Sequence, residues 1–263
     1  MKDIITSSDN TIIKHVRALS QKNSRDKFEQ FFVEGYRIVK DAFDNGCTFK
    51  YLLVSDNIAD NIKEFLNEIE NIPLYTIKDS LFKQISDTDT PQGILAVLNK
   101  KEYNLENILD SNENFLVLLE NIQDPGNMGT IIRTADAAGV RGVIVSKGCV
   151  DIYNPKVLRS TMGSIFHLSI IKVDDFDGYI DKLKQNEYNL FGAHLKGITN
   201  YFEVDMKGKV GIIIGNEANG ITDDIAQKCK LIKIPMFGST ESLNASVSAG
   251  VIMYEYVRQK LSK

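Results

Sequence analysis

Short apolar runs alternate with amphipathic stretches along most of the chain, the pattern of an α/β protein. In the first hundred residues, Phe31–Glu34 reads as a short buried strand, punctuated by Gly35. Tyr36–Asp44 reads as a helix with Ile38, Val39, Ala42 and Phe43 inward. Strands are predicted at Tyr51–Val54, Leu74–Thr76 and Gly93–Leu98, and helices at Ile58–Glu70 and Ser80–Ile85. Lys100–Asn114 is polar and charged and is the best candidate for a linker. The expected domains are therefore 1–99 and 115–263, with 100–114 between them.

Beyond the linker, Phe115–Leu119 is an unbroken apolar strand followed by the loop Asn121–Asn127. Asn127 is a candidate N-cap for a helix over Met128–Gly139. Met128, Ile131, Ile132, Ala135 and Ala138 fall on one face of that helix, and Gly129, Arg133 and Asp136 on another. Further strands are expected at Gly142–Ser146, Phe166–Ile171, Asn189–Ala193, Val210–Ile214 and Leu231–Ile234, and helices at Asn154–Met162 and Asp177–Asn186. The helix Asn244–Lys260 closes the chain. Its first three turns are small or apolar nearly all round, so it should be covered on several sides, by its own sheet, a second subunit or both.

Two strand ends, at Gly215 and after Leu231–Pro235, open onto glycine-containing loops within thirty residues of each other. Ligands bind at the carboxyl ends of strands in such sheets, so a small-molecule pocket is expected here. The loop GNEANGIT has the glycine spacing of a phosphate-binding loop, but Ile221 stands where the lysine belongs. ATP or GTP hydrolysis is thereby rejected, and no dinucleotide-binding glycine pattern follows a strand. Glu217 is either a structural carboxylate beside a helix N-terminus or the holder of a cation, for which Arg133 is the obvious partner. Arg133 in turn is either paired with Asp136 on the surface or faces the pocket. Ser242 and Asn244 at the mouth of the last helix suggest a polar ligand.

Composition narrows the class. The chain has 263 residues, is 43% apolar and carries a formal net charge of −4, so any nucleic-acid contact must come from local basic patches. Asn10 is a candidate cap for a helix from Thr11 to about Gln21, and Lys14, Arg17, Lys22 and Arg25 in this segment form one candidate, either a solvated helix face or a phosphate-backbone contact. No run approaches the length of a membrane span and no signal-peptide core opens the chain. The 3 cysteines are scattered, fitting a reduced, cytoplasmic compartment and neither a metal pattern nor a disulfide framework. His15, His167 and His194 share no spacing that would make a triad or zinc site.

Three segments together, NIQDPGNMGTIIRTADAAGV (121–140), GIIIGNEANGI (211–221) and IPMFGSTESLNASVSAG (234–250), resemble the three motifs of the SpoU/TrmH branch of the SPOUT RNA methyltransferases. Order and spacing agree from Phe115 to the C-terminus. The front section, with FFVEGYRIVKDAF as its nearest part, resembles the smaller L30e-like substrate-binding domain of many members. The resemblance implies methyl transfer from S-adenosylmethionine to a ribose 2′-hydroxyl of RNA, with 23S rRNA as the first expectation. It also implies a trefoil-knotted α/β domain with a parallel sheet, and a homodimer formed through it.

By matching positions, Arg133 takes the family's catalytic arginine, Asn127 its first-motif asparagine and Glu217 its second-motif glutamate. Ser242 and Asn244 take the third-motif serine and asparagine. Gly215, Asn216, Gly220, Ile234, Met236, Leu243 and Asn244 should border the cofactor. Lys14, Arg17 and Arg25 in front, with Lys156 and Arg159 in NPKVLRSTMGSIF, should touch RNA. No metal and no membrane are expected. The alternatives are ribose methylation of tRNA, methylation of an RNA base, self-protection of the ribosome by the same chemistry, or an RNA-binding assembly protein without catalysis.

Overall fold

The structure, a computed structural model, describes residues 4–69, 71–103, 106–109 and 114–262. It divides into two compact units, Met1–Lys101 with Tyr153–Leu158, and Glu102–Ile152 with Arg159–Lys263.

The front unit runs α1 (Thr11–Ala18), α2 (Lys22–Phe28), β1 (Gln30–Glu34), α3 (Tyr36–Asp44), β2 (Phe49–Ser55), α4 (Asp60–Glu68), β3 (Leu74–Ile77), α5 (Asp79–Ile85) and β4 (Ile94–Asn99). Its sheet has the order β1-β4-β2-β3, with β4 antiparallel to both neighbours and β2 parallel to β3. The basic segment is two helices rather than one helix running on past Ala18. Asn10 caps α1 by accepting from Ile12 N, as the sequence suggests. The chain then turns, and Arg25 of α2 reaches back, donating to the carbonyls of Leu19 and Ser20 at 2.9 and 2.8 Å. Arg25 is 2% exposed. Its expected contact with RNA is therefore corrected: its guanidinium satisfies carbonyls left open where α1 ends.

The rest of the chain contains α6 (Glu106–Leu109), β5 (Asn114–Leu119), α7 (Pro125–Ala137), β6 (Gly142–Ser146), α8 (Pro155–Thr161), a 3₁₀ turn at Ser164–Phe166, β7 (Ser169–Val173), α9 (Phe176–Gln185), β8 (Asn189–Ala193), β9 (Thr199–Asn200), β10 (Lys209–Ile214), α10 (Asp223–Ala226), β11 (Lys230–Lys233) and α11 (Ala245–Leu261), all of it in the second unit except the first residues of α8, up to Leu158. The seven-stranded sheet has the order β7-β6-β5-β10-β8-β11-β9, and every pairing in it is parallel. This is the α/β class read from the sequence. The strands are nearly continuous apolar runs because both faces of a parallel sheet are covered. On one face Leu116, Leu118, Ile144 and Ile213 pack with Ile180 and Leu183 of α9. Helices α7 and α11 pack together on the sheet, and Tyr256 of α11 stacks on Phe115 of β5 with ring centres 3.9 Å apart. The predicted inward face of α7 is buried, with Met128, Ile131, Ile132 and Ala135 each at 0%.

Two local readings need correction. The Phe166–Ile171 strand starts later, because Ser164–Phe166 winds into a 3₁₀ turn after Gly163 at φ 100°. Part of the expected linker is anchored: α6 buries Ile108 in the core of the second unit, and Asn114 already belongs to β5. Residues 104–105 and 110–113 of that stretch lie outside the described residues, as does Glu70 at the end of the helix expected over Ile58–Glu70. The closing helix is covered on one face only within this chain. Ala249, Ile252, Met253 and Tyr256 are buried, whereas Val247 and Tyr254 are each 49% exposed.

Candidate active site

Strands β5 and β10 lie side by side in parallel, so the loops leaving their carboxyl ends meet. The first loop becomes α7. Its cap is Asp124, not Asn127: the Asp124 side chain accepts from Asn127 N at 2.8 Å, and Pro125 occupies the first helical position. An aspartate followed by proline is well suited to start a helix, since proline has no N–H to satisfy there. Relieved of capping, the Asn127 side chain turns to other loops. Its Nδ2 donates to Glu217 Oε1 at 3.0 Å, and its Oδ1 accepts from Asn244 Nδ2 at 2.9 Å. The Asn244 Oδ1 caps α11 by accepting from Ser246 N and Val247 N. One residue from each of the three motifs thus enters a single hydrogen-bonded chain, and each amide's orientation is fixed by its partners.

Glu217 stands at the N-terminus of α7, not of the helix that follows it in sequence. Its carboxylate also accepts from the amides of Asp124 and Gln123 at 3.2 and 3.4 Å. Burial alone would raise its pKa. The hydrogen bonds from Asn127 and these amides outweigh burial and hold it below its ordinary 4.5. Arg133 is not its partner. It lies about 9 Å further along α7 than Asn127, is exposed, and neither hydrogen-bonds nor ion-pairs with any described residue. Asp136, the other candidate partner, bonds His167 Nδ1 at 2.8 Å. The site therefore holds an ionised, anchored carboxylate and an uncommitted guanidinium in different places.

The Gly215–Gly220 loop closes on itself. Asn216 and Gly220 exchange backbone hydrogen bonds, and Asn216 Oδ1 accepts from Ala218 N and Asn219 N. These amides point inward and cannot cradle a phosphate, in keeping with the missing lysine. At Gly215 a Cβ would sit 2.1 Å from the carbonyl carbon of Gly220, so no side chain fits. Asn216 Nδ2 donates to Asn121 O, tying this loop to the first.

The third loop, from Ile234 to Leu243, differs in kind. Among the described residues, no backbone amide from Met236 to Leu243 donates a hydrogen bond. Ile234, Met236 and Leu243 are half-buried, Phe237 is 96% exposed, and Ser242 is exposed. Open amides beside partly buried apolar side chains suit a heterocycle that needs both, so S-adenosylmethionine fits these loops.

The remaining expected residues lie elsewhere. Lys14 pairs with Asp9 at 2.9 Å, and Arg17 donates to Gln84 at 3.4 Å; both are exposed on α1. Lys156 and Arg159 are exposed on α8. Among the described residues, no three or more His, Cys, Asp and Glu side chains are grouped to hold a metal ion, and no helix is long and apolar enough to cross a membrane. Sequence reasoning missed Asp124, Glu120 and Thr222. The Asp124-Pro125 pair signalled the first, and a charge ending an apolar strand signalled the second.

A parallel α/β sheet with three hydrogen-bonded motif loops at the carboxyl ends of its strands defines the class, and known proteins share it. The chain belongs to the SpoU rRNA Methylase family, whose model matches residues 114–254, and residues 10–96 match the MRM3-like substrate binding domain. Among individual proteins, it is 32% identical over 252 residues to the 23S rRNA (guanosine(2553)-2′-O)-methyltransferase RlmP of Bacillus subtilis, covering 95% of this chain and 97% of that one. Among solved structures it is similar to an AdoMet-bound rRNA methyltransferase from Sinorhizobium meliloti, with TM-score 0.89, 30% identity and 97% of each chain covered. It is similar also to the SpoU methyltransferase AviRb of Streptomyces viridochromogenes in complex with AdoMet, with TM-score 0.90, 29% identity and 96% and 99% covered.

Proposed function

We propose that this protein transfers the methyl group of S-adenosylmethionine to a ribose 2′-hydroxyl of 23S rRNA, acting in the cytoplasm as a homodimer. The observation that carries the reading is the hydrogen-bonded chain Asn244–Asn127–Glu217, which locks the three motif loops together at the carboxyl ends of β5 and β10. The B. subtilis relative's name specifies a guanosine ribose in 23S rRNA, so 2′-O-methylguanosine is the product to look for first.

S-adenosylmethionine supplies an activated methyl group when bound. The residues bordering it would be Gly215, Asn216 and Gly220 on one loop and Ile234, Met236 and Leu243 on the other. The protein's contribution is largely positioning. A guanidinium is a donor and not a base in proteins, so we assign Arg133 to the phosphate beside the target ribose and to the negative charge that grows on the attacking oxygen. Glu217, bonded to Asn127 and the first loop, orients that loop rather than Arg133. Ser242, whose side chain is uncommitted, faces ribose or cofactor. Lys14, Arg17, Lys156 and Arg159 supply RNA contact.

Two features of the whole molecule belong to this reading. The trefoil knot is supported by the strand order: β10 inserts between β5 and β8, and β11 between β8 and β9. The dimer is supported by the stripe Val247, Val251 and Tyr254 on α11, at i, i+4 and i+7, which this chain leaves partly exposed.

The deciding experiment supplies labelled S-adenosylmethionine and ribosomal RNA lacking the modification, followed by nucleoside analysis. A 2′-O-methylnucleoside is expected, and a methylated base would overturn the acceptor. Arg133→Ala should bind cofactor normally yet lose about 10²–10³-fold in turnover. Full turnover in that variant would remove Arg133 from the mechanism.

A further inference from the structure

Glu120 follows the last residue of β5 and is 6% exposed. Its oxygens accept from a single residue: Oε2 from Thr222 N at 2.9 Å and Oε1 from Thr222 Oγ1 at 2.7 Å. No lysine, arginine or histidine among the described residues pairs with it. A buried carboxylate bonded only to neutral donors is expensive compared with an apolar side chain in the same place. The sheet does not need it, because the register of β5 on β10 is fixed by the ladder and extended by Glu120 N donating to Ile214 O.

What the carboxylate adds is a hold on Thr222, which ends the loop that Gly215 begins. The near end of that loop is fixed by the strand, its middle by Glu217 and Asn216, and its far end by Glu120. We propose that Glu120 is a positioning residue for cofactor binding: through Thr222 it fixes the far end of the Gly215–Gly220 loop, so that the loop presents one shape to S-adenosylmethionine. This rests on the reading that the loop borders the cofactor. Stability given up at a buried site in return for a preorganised loop is a familiar exchange in enzymes.

The test is S-adenosylmethionine titration by calorimetry on the full chain, with thermal unfolding and steady-state kinetics alongside. In Glu120→Gln an amide group replaces one acceptor and meets a donor of Thr222. In Thr222→Val the hydroxyl is lost. Both should weaken cofactor binding about tenfold, equivalent to about 1.4 kcal/mol, raising KM for the cofactor while kcat at saturation holds. The Tm of Glu120→Gln should stay level or rise, and Thr222→Ser, which keeps the hydroxyl, should bind as wild type. Wild-type affinity in Glu120→Gln and Thr222→Val would overturn the proposal, as would a loss of affinity that only follows a fall in Tm. A wild-type protein that does not bind S-adenosylmethionine would overturn the cofactor reading and this proposal together.

Discussion

At the scale of single residues, the site is governed by which polar groups are already spoken for. Asn127 and Asn244 are committed to each other, Glu217 to Asn127 and two amides, and Arg133 to nothing described. The motif residues could be picked out in the sequence, but their pairing could not. Glu217 looked like a partner for Arg133 because opposite charges attract; four neutral donors, the side-chain amides of Asn127 and Asn216 and the backbone N–H groups of Asp124 and Gln123, reached it first. The consequence is a pH dependence with a definite sign. The folded-state pKa of Glu217 lies below its ordinary 4.5, so ionised Glu217 contributes stability fully above that value and loses it as pH falls through the folded value. Tm measured from pH 6 downward should therefore fall more steeply below about pH 4.5 in wild type than in Glu217→Gln. Parallel curves would mean that the carboxylate holds nothing.

At the scale of elements, apolar runs long enough to be buried on both faces were legible: β5, β6 and β10 fall within a residue of their predicted ends. The inward stripe of α7 was legible for the same reason, a clear helical period. What failed was punctuation by tertiary contact. The polar stretch after Ala18 has no period to break, so nothing local announces that α1 stops and that Arg25 folds back to close it. The basic patch is accordingly smaller than its sequence suggests. Arg25→Met should lower stability by about 1–3 kcal/mol in chemical denaturation. It should leave unchanged the slope of RNA affinity against salt. Replacing Lys14 and Arg17 together with alanine should reduce that slope by up to about 2. A change of slope in Arg25→Met would restore it to the RNA-facing set.

At the scale of the whole molecule, sequence periodicity showed that α11 is too apolar for a surface helix, and the structure divides that apolarity in two. One face meets α7 and the sheet; the other, with Val247 and Tyr254, is half-exposed in the single chain. Replacing both with aspartate should convert a dimer to a monomer in sedimentation velocity. Tm should fall and lose its dependence on protein concentration, since dimerisation stabilises the folded chain by mass action. A wild-type monomer would overturn the dimer reading.

The bonds that assemble the site join residues 90, 102 and 117 positions apart. Each closes a long loop of chain, and contacts of such high order form late and slowly. After dilution from denaturant, helical signal should therefore return well before the ability to bind S-adenosylmethionine, a lag readable by stopped-flow dichroism against ligand fluorescence. The same ordering applies during synthesis. Until Asn244 has emerged and met Asn127, a nascent chain has its strands but no locked site, so its fold takes shape before its capacity to bind.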